Sequence, residues 1–250
     1  SYFNPRFIGL RNYEQILSDP LFWSSCRILL VFIAWGFCLT MGFVVPVTWL
    51  VYRLGSGWAG RLVQRAYVIP MMVPSMVLTL FWRFFYEPNF GMLNRILESA
   101  GKTEWTRVWL GEVETALPAL LFMGFPWISG FGFLVILAGF QGIDESLHES
   151  GRIDGASSLR VFLRIDFPLI IPQLKILIIL GMINGLQQFA NPLIMTKGGP
   201  RYSTTVPGLL MYKNAFEYGK LGYGAAIGVL LFVVILAFSI VSNQSIKRAD

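Results

Sequence analysis

Charged residues are scarce in this chain. Of its 250 residues, 14% are charged and 55% are apolar, and the mean hydropathy is +0.60. Because a soluble domain has about 25% charged residues, this composition excludes a disordered chain and a typical cytosolic enzyme, and it predicts a polytopic membrane protein. The net charge of +6 suits basic loops that face anionic lipid, and we expect no nucleic-acid partner.

Cysteine and histidine are nearly absent. Cys26 and Cys38 are too few for a disulfide framework or a metal knuckle. The single histidine, His148, excludes most histidine-based metal and relay chemistry. The string GSGWAG at residues 55–60 follows a membrane-length apolar run and lacks the acidic residue of a dinucleotide site, so we interpret it as a tight turn. We therefore predict no catalytic residue, no metal site and no cofactor held by this chain.

Carboxylates are missing from the long apolar runs. Runs long enough to cross the ~30 Å hydrocarbon core predict five helical spans, at residues 23–52, 66–83, 115–140, 168–196 and 221–246. None of these spans contains Asp or Glu, which argues against proton-coupled transport and intramembrane proteolysis. We place residues 1–22 outside the cell as a polar preamble, and residues 141–167 in the cytoplasm as a polar loop.

Neutral amides are the polar residues that interrupt the fourth run. At helical spacing Asn184, Gln187 or Gln188, and Asn191 share one face. Such a stripe can bind sugar hydroxyls, or it can join helices within the membrane. The residues alone leave both interpretations open.

The polar loop at residues 141–167 predicts two short helices. Asp144 can cap the first, Gly155 suits the left-handed turn that ends it, and Ser157 or Ser158 can cap the second. Small side chains that would let a partner approach closely are those of Ser150, Gly151 and Ala156. This pattern favours a compact structure that binds a partner, rather than a plain surface loop.

The same loop resembles a known signature. Its spacing is similar to EAA-x₃-G-x₉-I-x-L-P of the permease subunits of binding-protein-dependent ABC importers. The landmark positions are occupied by Glu149, Gly155, Ile165 and Pro168. Ser150, Gly151 and Phe167 depart from the signature but preserve small size or apolar character.

Other segments resemble carbohydrate-uptake permeases of the maltose-type class. They are residues 4–13, the T-x-G-G-P turn within residues 195–200, and residues 215–226. The resemblance implies an all-α, polytopic membrane protein with the six-span core of a type I importer permease. We expect five of those spans in this single transmembrane domain and the remaining helix before residue 1.

The resemblance also implies a function and partners. The chain would be a multi-pass subunit in a bacterial cytoplasmic (inner) membrane, forming half of the path of an ATP-driven sugar or oligosaccharide importer. The implied partners are a second, different permease subunit, two copies of a cytoplasmic ABC ATPase, an extracytoplasmic solute-binding protein and membrane lipid. ATP and Mg would be bound by the ATPase, so this chain would be a transport subunit and not an enzyme.

Two sets of site residues follow from the resemblance. The loop would dock on the ATPase and drive alternating access, through Leu147, Glu149, Ser150, Gly151, Ile153, Asp154, Gly155, Ala156 and Leu159. In a sugar permease the amides gain a substrate role. The predicted substrate surface consists of Asn184, Gln187, Gln188, Asn191 and Trp127.

Two alternative functions are compatible with parts of the sequence. One is an ABC importer permease for another solute, such as a polyol, a glycerol phosphate or an amino acid, and the T-x-G-G-P turn favours sugar over it. The other is a stand-alone secondary carrier or membrane enzyme. The missing carboxylates, the lack of internal repeats and the loop signature argue against it.

Overall fold

The computed structural model describes residues 7–55, 57–125 and 129–247, with side chains through residue 240. Within these ranges the chain forms fifteen α-helices and no β-strand. In chain order the helices are Arg11–Ser18 (α1), Pro20–Leu39 (α2), Val45–Leu54 (α3), Trp58–Val68 (α4), Ser75–Phe85 (α5), Met92–Ser99 (α6), Val113–Leu121 (α7), Gly130–Gln141 (α8), Glu145–Ile153 (α9), Ser158–Val161 (α10), Phe167–Leu169 (α11), Ile171–Leu186 (α12), Ala190–Thr196 (α13), Pro207–Tyr212 (α14) and Leu221–Lys247 (α15). The all-α expectation is therefore confirmed for the described ranges.

Length and hydropathy identify the helices that can cross a membrane. Among the described residues two stretches suffice by themselves, Pro20–Leu54 and Leu221–Ile240, and the number rises to five if each of three bent helix pairs counts as one span. The longer stretch is continuous because the π-helical segment Thr40–Val44 joins α2 to α3. On α15 large apolar side chains point outward, as a lipid-facing helix requires. They are Val229, Phe232, Val233, Leu236 and Ile240.

The three middle apolar runs are broken rather than continuous helices. In residues 66–83 helical structure stops at Met72 and resumes at Ser75, and Pro74 explains this because proline disfavours helical backbone before it. In residues 168–196 α12 ends at Leu186 and α13 begins at Ala190. Pro192 would remove a helical N–H and clash with the carbonyl of residue 188 in a continuous helix. In residues 115–140 α7 ends at Leu121 and α8 begins at Gly130.

The chain divides into two compact units, and each has its own packing. One unit comprises residues 36–74 and 126–181, and the other residues 1–35, 75–125 and 182–250. The first has a core between α3, α4, α8 and the start of α12. Its fully buried side chains include Val44, Val45, Phe133, Ile136, Phe140 and Ile170. The described residues of the second unit form three smaller apolar clusters, one of which joins α1 and α15 through Ile16 and Ile227.

Candidate functional site

The polar loop forms a short helix with a defined start and end. α9 begins after Asp144, whose carboxylate accepts a 2.9 Å hydrogen bond from the backbone N–H of Ser146. That bond lowers the pKa of Asp144 because it favours the charged carboxylate. Past the end of α9, Gly155 has φ of +69°, a conformation that strains residues with a Cβ. The predicted cap and turn are confirmed.

A second helical arm follows this turn. The hydroxyl of Ser157 accepts a 3.4 Å hydrogen bond from the N–H of Arg160, so Ser157 is the cap and Ser158 is the first helical residue. α10 continues into the π-helical segment Phe162–Asp166 and then into α11. Pro168 lies in the first turn of α11.

The two arms pack against each other through a glycine. Gly151 is buried on α9, and a Cβ at that position would lie 3.3 Å from Cδ1 of Ile165 and 3.6 Å from Cγ2 of Val161. A larger side chain would push the second arm away. Residues 144–166 therefore form one packed body, which we call the two-helix knob.

A buried polar contact joins the knob to α3. Asp166 is fully buried, and its Oδ1 lies 2.6 Å from Nε2 of His148, which is also buried. Its Oδ2 accepts a 2.8 Å hydrogen bond from the indole N–H of Trp49 on α3. Each oxygen of the Asp166 carboxyl group thus has a polar partner, as a buried polar group requires. We call these three residues the His–Asp–Trp link.

Aromatic and basic side chains surround the link. Phe162 packs on Trp49 with ring centroids 4.9 Å apart. The ring centroids of Tyr52 and His148 are 6.2 Å apart. The guanidinium of Arg53 lies 5.8 Å from the Trp49 ring centroid and donates a 3.1 Å hydrogen bond to the hydroxyl of Ser158. One turn of α3 therefore contacts both arms of the knob.

The outer face of the knob is exposed and partly apolar. Leu147 is 42% exposed, Ile153 86% and Leu159 62%. The polar residues Glu149, Ser150 and Asp154 are exposed as well, and so is Gly155. Ala156 is half-buried, and Gly151 is buried against the second arm. Of the nine residues predicted for ATPase coupling, seven therefore lie on the surface, while Gly151 supports that surface from inside.

His148 and Asp166 were not predicted as site residues. In the sequence, the single histidine excludes most metal and relay chemistry, and Asp166 occupies the variable x position of the I-x-L-P segment. The sequence does contain a partial signal, because His148 and Gly151 are three residues apart and so share the inner face of α9. Their partners lie too far along the chain for any periodicity to reveal.

The amides of the fourth run do not form the single helical face that their spacing predicts. Asn184 belongs to α12, Gln187 and Gln188 lie in the break, and Asn191 belongs to α13. That expectation is wrong because the backbone leaves helical geometry ahead of Pro192, reaching φ −152° at Phe189. Asn184 and Gln187 are exposed and Gln188 is half-buried. Asn191 accepts a 3.0 Å hydrogen bond from the hydroxyl of Thr79.

The break is packed closely on one side. A Cβ at Gly208 on α14 would lie 3.2 Å from the carbonyl oxygen of Gln188 and 3.2 Å from Cβ of Phe189. The Phe189 ring stacks on Tyr212 with centroids 5.9 Å apart. The backbone of the break is therefore held in place while its amide side chains stay accessible. Trp127, the fifth predicted substrate residue, lies outside the described residues.

One buried amide organises the segment between α5 and α7. The side chain of Asn94 is buried, donates to the carbonyl oxygens of Pro88 and Arg107 at 3.0 Å each, and accepts from the indole N–H of Trp109 at 2.7 Å. Thr115 adds a 2.8 Å hydrogen bond to the Trp109 carbonyl oxygen. In the described part of the chain, no three His, Cys, Asp or Glu side chains are grouped for a metal ion.

Comparison with known sequences identifies relatives over nearly the whole chain. Residues 44–249 match the family described as "Binding-protein-dependent transport system inner membrane component". The chain is 35% identical over 238 residues to the trehalose/maltose transport system permease protein MalF of Thermococcus litoralis, covering 94% of this chain and 78% of that protein. It is 30% identical over 246 residues to the sulfoquinovosyl glycerol transport system permease protein SmoG of Agrobacterium fabrum, covering 98% and 78%.

Solved structures share the fold. A bacterial ABC transporter involved in the import of the acidic polysaccharide alginate matches with a TM-score of 0.83 at 22% identity, covering 98% of this chain and 86% of that chain. The alginate transporter in complex with an alginate pentasaccharide-bound periplasmic protein matches with a TM-score of 0.85 at 21% identity. This match covers 97% of this chain and 84% of that chain. The predicted fold class of an importer permease is confirmed.

Proposed function

The chain belongs to the family of binding-protein-dependent transport system inner membrane components, and on that premise we propose that it is a transmembrane subunit of an ATP-driven sugar importer. It lies in the cytoplasmic (inner) membrane as a multi-pass protein and forms half of the translocation path beside a second permease subunit. A separate ATPase hydrolyses ATP with Mg, and an external solute-binding protein delivers the sugar.

The exposed apolar face of the two-helix knob is the observation that carries this proposal. The inner side chains of the knob pack and form hydrogen bonds within the chain, whereas Leu147, Ile153 and Leu159 are exposed on its outer face. Exposed apolar side chains on a rigid helical surface are typical of a site that inserts into a partner's groove. We assign that groove to the cytoplasmic ATPase.

The knob would couple ATP hydrolysis by the ATPase to the change in access of the permease. Closure of the ATPase dimer on ATP moves the knob, and the contacts of the knob with α3 carry the motion to a membrane-spanning helix. The access equilibrium shifts only as far as the ATPase binds one position of the knob more tightly than the other. We propose that Glu149, which is exposed on α9, pairs with a basic residue of the ATPase.

A sugar substrate is supported by the helix break at residues 187–189. Non-helical backbone at membrane depth is tolerated where it is buried in protein or lines a water-filled cavity. Asn184 and Gln187 expose amide groups at this break, and amides both donate and accept, as sugar hydroxyls do. The named substrates of the trehalose/maltose and sulfoquinovosyl glycerol permeases also contain sugars.

The segment between α5 and α7 provides a docking region for the solute-binding protein. Asn94 holds it in one conformation through bonds to Pro88, Arg107 and Trp109. An ordered segment binds a partner with a smaller entropic cost than a flexible one.

The ATPase assignment is tested by co-purification of the tagged chain with its ATPase in detergent. We expect Ile153→Asp to reduce the recovered ATPase about tenfold, because it places a charge in an apolar contact, and Ile153→Val to recover it fully. Equal recovery with both variants, or no ATPase with the unaltered chain, would contradict the assignment.

The sugar assignment is tested with the complete importer in liposomes. Uptake is measured across a panel of mono- and oligosaccharides, polyols, glycerol phosphates and amino acids, with each cognate binding protein. We expect ATP-dependent uptake of a sugar. Uptake confined to a compound without a sugar ring would contradict it while leaving the ATPase assignment intact.

A further inference from the structure

We propose that His148, Asp166 and Trp49 act as positioning residues that hold α9 in a fixed orientation on α3, so that motion of the knob reaches the spanning helix without slippage. The proposal rests on the proposed role of the knob in coupling to an ATPase. It gives the His–Asp–Trp link a role different from those proposed for the outer face of the knob and for the amides at the helix break.

Burial makes the His–Asp–Trp link costly to stretch. Asp166 is fully buried and His148 nearly so, and the two atoms in contact are 2.6 Å apart. A buried carboxylate that loses a partner keeps the penalty of leaving water without the compensating bond. Any displacement of α9 that stretches the contact therefore raises the free energy steeply.

The orientation of the hydrogen bond between His148 and Asp166 matters more for this role than its contribution to stability. α9 has only nine residues, and a helix this short has little stability by itself. Its buried residues are His148 and Gly151. The glycine contributes shape but no directional bond, and apolar surfaces can slide past each other. A hydrogen bond prefers one distance and one angle, so His148 sets the rotation of α9 about its own axis.

The link also joins three separate parts of the chain. His148 and Asp166 are 18 positions apart, and Trp49 is 117 positions from Asp166. Asp166 ends the π-helical segment Phe162–Asp166, and such segments often occur at functional sites. One carboxylate thus fastens the first arm, the second arm and α3 at a single point. The best-supported use of buried polar pairs is the fixing of register rather than added stability.

The test uses the reconstituted complex of both permeases, ATPase, binding protein and sugar. The quantity measured is the number of ATP molecules hydrolysed per sugar transported by assembled complex. Trp49→Phe removes the indole N–H but keeps an aromatic ring against Phe162. Asp166→Asn keeps the shape and removes the charge. We expect both to raise this ratio, by about tenfold for Asp166→Asn, with an unchanged KM for the sugar. The matched control is Trp58→Phe, because Trp58 is 76% exposed, and it should leave the ratio unchanged.

A conservative replacement separates positioning from loss of fold. His148→Ala leaves Oδ1 of Asp166 without its partner and should uncouple the transporter most. His148→Gln keeps an N–H donor and leaves Trp49 bonded to Asp166, and we expect it to recover most of the coupling. A wild-type ratio in assembled Trp49→Phe and Asp166→Asn complexes overturns the proposal. So does a His148→Gln ratio no better than that of His148→Ala, or failure of Asp166→Asn to assemble while Trp49→Phe couples normally. If the unaltered chain shows no sugar-stimulated ATP hydrolysis, the proposed function itself has failed.

Discussion

The two-helix knob and the helix break at residues 187–189 are both polar interruptions between apolar helices, but they treat their polar groups differently. In the knob, Asp144, His148 and Asp166 all bond within the chain. At the break, Asn191 has a partner in Thr79, while Asn184 and Gln187 are exposed.

This contrast indicates two kinds of site. A polar region that is satisfied internally resists deformation, which suits a part that transmits force. A polar region whose amides remain accessible suits a part that binds something from outside, because a polar group withdrawn from water needs a partner. Under the proposed function the knob transmits motion and the break receives a ligand, and variants in each region can test the two roles separately.

The largest effect is expected for Gly151→Leu in the knob. The added side chain would collide with Ile165 and Val161, at a cost of about 1–3 kcal/mol, and would separate the two arms. We expect loss of sugar uptake and reduced recovery of the ATPase. Gly142→Ala is the matched control, because a Cβ there would meet no atom nearer than 3.5 Å. Equal behaviour of the two variants would mean that the arms need not stay packed.

The next effect is expected at the break, for Asn184→Leu and Gln187→Leu. Both side chains are exposed, so the free energy of unfolding should change by less than about 0.5 kcal/mol. Sugar uptake should fall about tenfold through a lost hydrogen bond to the substrate, while ATPase recovery stays normal. A large loss of thermal stability with unchanged transport would instead assign these amides to helix packing.

A smaller effect is expected for Thr79→Val. The change removes the donor to Asn191, and an interhelical hydrogen bond in a membrane contributes about 0.6 kcal/mol. The variant should therefore lower the unfolding temperature slightly and leave the ATP-to-sugar ratio unchanged. A change in which sugar is transported would show that Asn191 also belongs to the ligand site.

The smallest effect concerns Asp144 and pH. The bond from Ser146 lowers the pKa of this carboxyl, so its stabilisation of α9 is complete above the ordinary carboxyl range and is lost as the pH falls through the lowered pKa. The protection of residues 145–153 against hydrogen exchange, taken relative to the intrinsic exchange rate at each pH, should therefore fall in acid. Asp144→Asn should cap α9 without this pH dependence, because Asn is an equally good N-cap. The same acid response in Asp144→Asn would assign the titration to another group.

Local patterns in the sequence predicted much of the knob. The cap at Asp144, the turn at Gly155 and a serine cap for α10 depend on residues within a few positions of each other, and all three are present. Family membership also followed from local spacing, from Glu149 to Pro168. At the break the outcome differs, because the helical spacing of the amides predicts one continuous face, whereas Pro192 disfavours a continuous helix there.

Composition and local motifs alone determined that this is a helical membrane permease with a compact polar loop, since apolar run length, caps and glycine turns act over short distances. The tertiary structure alone decided that His148, Asp166 and Trp49 meet, and that Gly151 lies inside the knob rather than on its surface. Which distant residues share a buried site depends on how helices pack, and that packing results from many weak contacts summed over the fold.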